Sequence, residues 1–446
     1  EAPGIASADI VVINYNKAVT FLENLKTVGF DFLAIDEALI KDPASQRTQA
    51  ITELGQGVRS KVLMSGTLIN NTPLDLFAPV RFVEPSLVGL SFAKFCAEYA
   101  VYTEIDRGND KKLPVVVGCR RVPEMRSILE TVSIVMTKDE WLDLPPKSFI
   151  DIPVTMSDVQ AAAYKFLQSN YVVQISGKTV EADNALTLAA KLFQISSGFA
   201  YINNDDSLLD LFAKSGNSRK KRETVYFPEQ PKAKALTELV TGTLKGRRGI
   251  IWYNMSAELE IISKALDSAG ISYLVIKGGE KDTGGKVRRF NVDPSVSWLV
   301  CQAKSVNYGI TVLGKSAEDL EEMDIELPPG ITPEVYTHIY YSLNFSLEVY
   351  LQQQDRSHRI GQKHACEYYR LITNAPIEHH IVRALHRKRN IRNEMLIDYI
   401  EKLKKDSLNV NVSDRPERSD NPNLSEQPDL PEPPEPAGLS DGDLGW

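Results

Sequence analysis

The chain has 446 residues, 43% of them apolar and 25% charged, which is ordinary for a soluble protein and enough for two or three domains with cores of their own. No apolar run is long enough for a membrane-spanning helix, and the opening EAPGIASADI lacks the basic start of a secretory leader. The net charge of −8 does not exclude a nucleic-acid partner, because the ten acids and two arginines from Asp406 to Trp446 account for all of it and the rest of the chain is neutral.

In chain order, IVVIN (10–14) and DFLAI (31–35) read as strands, with a helical pattern from Ala18 to Val28 between them. Strand, helix and apolar strand predict a parallel α/β sheet. The chemistry of such sheets collects at the carboxyl ends of the strands, where Asp36 and Glu37 stand. One such carboxylate can hold magnesium while its neighbour orients an attacking water, although an acidic pair in a turn is common by itself. KVLMSGT (61–67) predicts another strand ending in the small turn Ser65-Gly66-Thr67. From Ser91 to Lys147 the pattern is helices with a hairpin, whose strand is KKLPVVV (111–117). The pair Pro145-Pro146 cannot continue a helix and marks a domain boundary.

Ser148 to Pro231 reads as mainly helical, with a polar stretch ending in the basic cluster 219–222, which could touch a phosphate backbone but reads first as a solvated loop. A second α/β domain starts near Lys232, with strands GIIWYN, SYLVIKG, SWLVCQ, THIYYSLN and EYYRLI. An acidic insert, Gly314 to Glu334, precedes its last two strands. In LQQQDRSHRIGQ (351–362), Gln352, Arg356 and Arg359 lie four and three apart. On a helix that spacing puts all three on one face, and paired guanidiniums beside an amide suit a polyanion. A closing helix runs through Lys405, and the proline-rich acidic stretch 406–446 is expected to be a disordered tail. Cys96, Cys119, Cys301 and Cys366 form no C-x-x-C pair, and His379-His380 with Cys366 matches no zinc spacing. Free thiols point to a reducing cytoplasm.

These stretches carry a resemblance. LQQQDRSHRIGQ is similar to motif VI of the Swi/Snf-type DNA translocases, a branch of the superfamily-two helicases, with the pattern Q-x-x-D-R-x-H-R-I-G-Q. AIDEALIKDPASQRTQAI resembles motif II, with Leu39 in the place of the usual His, and SGTLINN resembles motif III, with Leu68 in the place of Pro. MTKDEWLDLPPK resembles the stretch that closes the first motor domain, and VVVGCRRVPEMRSIL resembles the compact phage and annealing-helicase subgroup. Asn254 falls in motif IV, KGGEKDTGGKVRRFN in the element after it, and CQAKSVNYGIT in motif V. In motif V, Val306 and Asn307 replace the usual Gly-Gly.

The resemblance implies an α/β fold with two RecA-like parallel-sheet domains, the first incomplete, divided as 1–147, a helical extension 148–231, 232–405 and the tail 406–446. It implies ATP and Mg2+ as cofactors and duplex DNA, contacted through its backbone, as partner. Asp36 would hold magnesium, Glu37 would orient the water, and Arg356 and Arg359, positioned by Gln352, would reach the γ-phosphate. Gly309 would lie near the nucleotide, and Ser65, Gly66 and Thr67 would couple it to DNA. Asn254, Lys277, Gly278, Lys304, Ser305 and Asn307 would meet the DNA. The family's phosphate loop, G-x-x-x-x-G-K-[ST], is expected to be missing, the chain beginning downstream of its place. A motor without that loop would be inactive alone unless a separate chain supplied it. The other readings are an RNA- or DNA-directed helicase and a non-hydrolysing DNA-binding or regulatory module.

Overall fold

A computed structural model describes residues 8–386 of the chain, apart from 67, 69–72, 90, 107–111, 137, 171, 176–177, 182–184, 203–222, 306–309 and 345. The expected tail, the basic cluster 219–222 and the end of the closing helix lie outside the described residues. The chain divides into two units between Glu140 and Trp141.

In the first unit, Asn14 accepts the Lys17 amide at 2.9 Å and so caps helix α1 (Tyr15–Thr20). Helix α2 (Leu22–Lys26) follows, then strand β1 (Phe32–Ile35), helix α3 (Gln46–Leu54) and strand β2 (Ser60–Leu63). Strands β1 and β2 pair in parallel from Phe32–Ser60 to Ile35–Leu63. Side chains alternate across this small sheet. Leu33, Ile35 and Leu63 pack on Ala18, Leu25, Ile51, Leu54 and Phe82, whereas Phe32, Val62 and Met64 are exposed. The strand expected at 10–14 does not form: Ile10 and Val12 are 81% and 93% exposed, and Asn14 begins a helix instead. Apolar content is only half of what makes a strand, the other half being a paired neighbour, and 10–14 has none among the described residues.

A second core in this unit joins helix α4 (Phe77–Val83), helix α5 (Phe92–Tyr99), an antiparallel hairpin of β3 (Ala100–Asp106) and β4 (Lys112–Cys119), and helix α6 (Val122–Val132). The strand read from KKLPVVV is β4.

The second unit is built on six strands, all parallel. Its first strand, β5 (Lys147–Val154), leads into helix α7 (Asp158–Asn170), hairpin β6 (Val172–Ile175) and β7 (Lys178–Glu181), helix α8 (Ala185–Ser196), hairpin β8 (Phe199–Tyr201) and β9 (Thr224–Tyr226), and helix α9 (Pro231–Thr241). Then come β10 (Arg247–Tyr253), α10 (Ser256–Ser268), β11 (Tyr273–Ile276), α11 (Thr283–Val292) and β12 (Trp298–Gln302). The last elements are α12 (Ala317–Glu322), β13 (Thr332–Tyr340), α13 (Leu347–Gln354), β14 (Cys366–Thr373) and α14 (Pro376–His386).

The strand order is β11-β12-β10-β13-β14-β5. All five strands read from the sequence of this region are present, and the fold class is α/β as expected. The sixth strand differs from expectation, because Lys147 to Val154 was read at the start of a helical stretch. It pairs along its whole length with β14, from Lys147–Cys366 to Val154–Thr373. As an edge strand it tolerates Pro153, which could not donate to a second neighbour. Burial along β10 and β12 is almost unbroken, as expected of strands covered on both faces.

Candidate functional site

In the first unit the carboxyl ends of β1 and β2 lie side by side. The Met64 amide donates to Ile35 O at 2.8 Å and the Ala38 amide to Met64 O at 3.2 Å. This brings the Asp36-Glu37 turn next to Ser65 and Gly66, while Thr67 lies outside the described residues. Asp36 is exposed and Glu37 half-buried, and Glu37 has left-handed backbone with φ of 51°. Two adjacent carboxylates at an open strand end offer hard oxygen donors, which fit Mg2+ or another oxygen-seeking cation.

In the second unit, strands β10, β11 and β12 are neighbours, and their carboxyl ends carry most of the residues read as DNA-binding. Gln302 ties them together. Its Oε1 accepts the Gly278 amide at 2.8 Å, and its Nε2 donates to Asn254 O at 3.2 Å. The Ser305 hydroxyl reaches the same Gln302 Oε1 at 3.3 Å. Lys277, Gly278 and Lys304 are exposed around this junction, and Asn307 lies outside the described residues. Gln302 was missed in the sequence, where the only signal was an amide closing an apolar strand. Asn254 differs from its expected part, because its side chain faces inward. Its Nδ2 donates to Ser342 O at 3.1 Å and to Ser342 Oγ at 2.7 Å, and its Oδ1 accepts from Asn344 at 2.6 Å. Below it the fully buried Glu258 accepts the Asn254 and Met255 amides at 2.8 and 3.0 Å and the Ser342 hydroxyl at 2.9 Å. Burial raises the Glu258 pKa against these bonds.

The motif VI stretch departs from the expected single helix. Helix α13 ends at Gln354, with Asp355 as its cap, so Gln352, Arg356 and Arg359 do not share one helical face. What gathers the two arginines is a carbonyl of the neighbouring segment. Arg356 Nη1 donates to Ile310 O at 3.1 Å, and Arg359 Nη1 approaches the same atom at 3.5 Å. Arg356 Nε donates to Gln352 O at 3.0 Å, and the Val312 amide donates back to Arg356 O at 2.9 Å. Arg356 is therefore a buried clamp between the motif V and motif VI segments, whereas Arg359 is half-buried. The Gln352 amide lies 3.5 Å from Glu348 on its own helix.

A buried relay, absent from the sequence reading, fixes this turn. Trp252 Nε1 donates to His338 Nδ1 at 2.9 Å, so the imidazole carries its proton on Nε2, which meets Ser357 Oγ. Burial first, and Lys147 second, hold the His338 pKa down to about 3. In the unfolded chain an imidazole takes up a proton below about pH 6.5. Between the two values the unfolded state binds more protons, so stability falls as the pH falls, by about 1.4 kcal/mol per unit. Urea unfolding at pH 7.5 and 5 is therefore expected to show a pH-dependent loss about 2 kcal/mol smaller in His338→Gln than in the parent. Equal losses in both would mean that the imidazole titrates freely in the fold.

One expectation needs correction outright. The chain does contain the string G-x-x-x-x-G-K-S, from Gly309 to Ser316. Among its described residues it is not built as a phosphate cradle. The Gly314 amide donates to Asn291 Oδ1 at 3.2 Å and the Val312 amide is held by Arg356 O, so neither is available to an anion. Gly314 forms an antiparallel bridge with Glu334, and its φ of 70° and a Cβ clearance of 2.3 Å to Pro333 O account for the glycine. Gly309 itself lies outside the described residues.

Residues 4–208 match the family model described as SNF2-related domain. Over 413 residues the chain is 25% identical to the DNA repair and recombination protein RDH54 of Saccharomyces cerevisiae, covering 87% of this chain and 40% of that one. Over 419 residues it is 24% identical to the TATA-binding protein-associated factor mot1 of Aspergillus fumigatus, covering 85% and 20%. The chain thus spans less than half the length of these relatives. The crystal structure of the C-terminal part of the Fun30 ATPase domain aligns with 59% of this chain and 99% of its own, at 17% identity and a TM-score of 0.39.

Proposed function

We propose that this chain, whose residues 4–208 match the SNF2-related domain, is part of a Swi/Snf-type, ATP-driven translocase acting on duplex DNA. The observation that carries the reading is the joining of Gln302, Asn254, Lys277-Gly278 and Lys304-Ser305 at three neighbouring strand ends. The exposed Lys277 and Lys304, gathered by this joining, suit a phosphate backbone, which is contacted without regard to sequence. A relative described as a DNA repair and recombination protein supports DNA as the partner.

ATP with magnesium would supply the driving hydrolysis. Asp36 would ligate the cation and Glu37 would orient the water, and Arg359 would meet charge developing on the γ-phosphate. Arg356 and Gln352 would position Arg359 through the Ile310 carbonyl and the α13 terminus. Since the Val312 and Gly314 amides of the segment Gly309–Ser316 are engaged elsewhere, these 446 residues would need a phosphate loop from another segment to hydrolyse ATP. That same observation favours a second reading, a DNA-binding module that does not hydrolyse.

Phosphate release, with and without duplex DNA, separates the two. The 446-residue polypeptide alone is expected to release almost none, and addition of an amino-terminal phosphate-loop segment is expected to restore DNA-stimulated release. Duplex binding by the polypeptide alone should weaken steeply with salt. Robust release by the unaided chain would show that the nucleotide is held by other residues.

A further inference from the structure

Tyr15 is the first residue of α1, fixed there by the Asn14 cap, and it is used by none of the roles above. Its ring is half-buried, with the Arg47 guanidinium 5.5 Å from the ring centroid, and Arg47 in turn donates to Asn16 Oδ1 at 3.3 Å. The hydroxyl reaches the whole acidic turn. It donates to Glu37 O at 2.9 Å, with Asp36 O at 3.2 Å, and it accepts the Leu39 amide at 3.4 Å.

The turn needs such a hold. Glu37 is left-handed, a conformation that costs a residue with a Cβ about 1 kcal/mol or more and that persists only where its surroundings over-determine it. On one side the Ala38 amide is tied to Met64 O. On the other side stands Tyr15. An extended backbone at Glu37 would send the Asp36 and Glu37 side chains to opposite faces of the sheet, and the left-handed turn breaks that alternation. We infer that Tyr15 is a positioning residue, whose hydroxyl holds Glu37 left-handed and so sets the Glu37 carboxylate beside a divalent cation held by Asp36. The inference rests on the reading of these two acids as the magnesium and water site.

The test uses the 446-residue chain labelled with 15N-alanine and 15N-leucine and titrated with Mn2+ alone, which takes the oxygen ligands of Mg2+ and broadens nearby signals. The Ala38 and Leu39 amides should broaden first in the parent, and Asp36→Asn should remove that effect. Tyr15→Phe should require about tenfold more Mn2+ for the same broadening, as losses of supporting hydrogen bonds around metal ligands generally do. Equal Mn2+ requirement in Tyr15→Phe and the parent would overturn the inference alone. Absence of broadening at Ala38 and Leu39 in the parent, or its survival in Asp36→Asn, would overturn the metal reading and the inference with it. If Tyr15→Phe unfolds the first unit, the same change is made in Glu37→Gly, where glycine takes the left-handed conformation freely. Its stability loss there should be half or less of the loss beside Glu37. Equal losses in the two backgrounds would also overturn the inference.

Discussion

Lys232→Met is expected to destabilise the second unit by about 3–5 kcal/mol, because it leaves a carboxylate buried without its cation. Lys232 and Glu378 are each 2% exposed, and Nζ lies 2.7 Å from Oε1. Nζ also donates to Tyr341 O at 3.1 Å. On the acid, Oε1 accepts the Ser196 hydroxyl at 2.6 Å and Oε2 accepts the Thr373 amide at 2.8 Å. The pair therefore links α8, α9, α14 and the ends of β13 and β14. Its net worth is smaller than the loss on breaking it, since both ions were desolvated to form it. Lys232→Met combined with Glu378→Leu should accordingly recover most of the loss, although Ser196 and the Thr373 amide would then lack their acceptor. Urea unfolding followed by the fluorescence of the buried Trp252 and Trp298 reads both variants. A single-variant loss below about 1 kcal/mol would mean that water reaches the pair.

Arg359→Ala and Arg356→Ala are expected to fail in opposite ways. In a motor supplied with a phosphate loop, Arg359→Ala should lower DNA-stimulated phosphate release by about 10^3-fold or more while leaving unfolding almost unchanged. That expectation follows from its single long contact and half-buried position. Arg356 is buried, and its removal takes the shorter donor from Ile310 O and the guanidinium donor from Gln352 O. Arg356→Ala should therefore lose about 2 kcal/mol or more of stability, and activity as a consequence. Phosphate release and urea unfolding measured on both proteins decide it. Equal stability losses, or full activity in Arg359→Ala, would remove the division of labour between the two arginines.

The sequence by itself determined the class of the fold and the places where chemistry could collect. Five apolar strands of the second unit, from β10 to β14, were legible because each is a continuous run with helical patterns between most of them. Asp36, Glu37, Lys277, Gly278, Lys304 and Ser305 were legible because motifs put them at strand ends, and parallel sheets gather their ends. What the sequence left open depended on partners far along the chain. Lys147–Val154 became a strand through pairing with Cys366–Thr373, whereas IVVIN has no paired neighbour among the described residues and is not a strand. The helix through LQQQDRSHR stopped at Gln354, after which Arg356 and Arg359 turned to a carbonyl some 46 residues earlier in the chain. Residue spacing cannot anticipate that, because periodicity describes a helix and says nothing of where its capping groups find other partners. Nor could a pattern of glycines and a lysine say whether Gly309–Ser316 cradles a phosphate. A phosphate loop is defined by free amides converging on one point, and in this fold the Val312 and Gly314 amides already have acceptors.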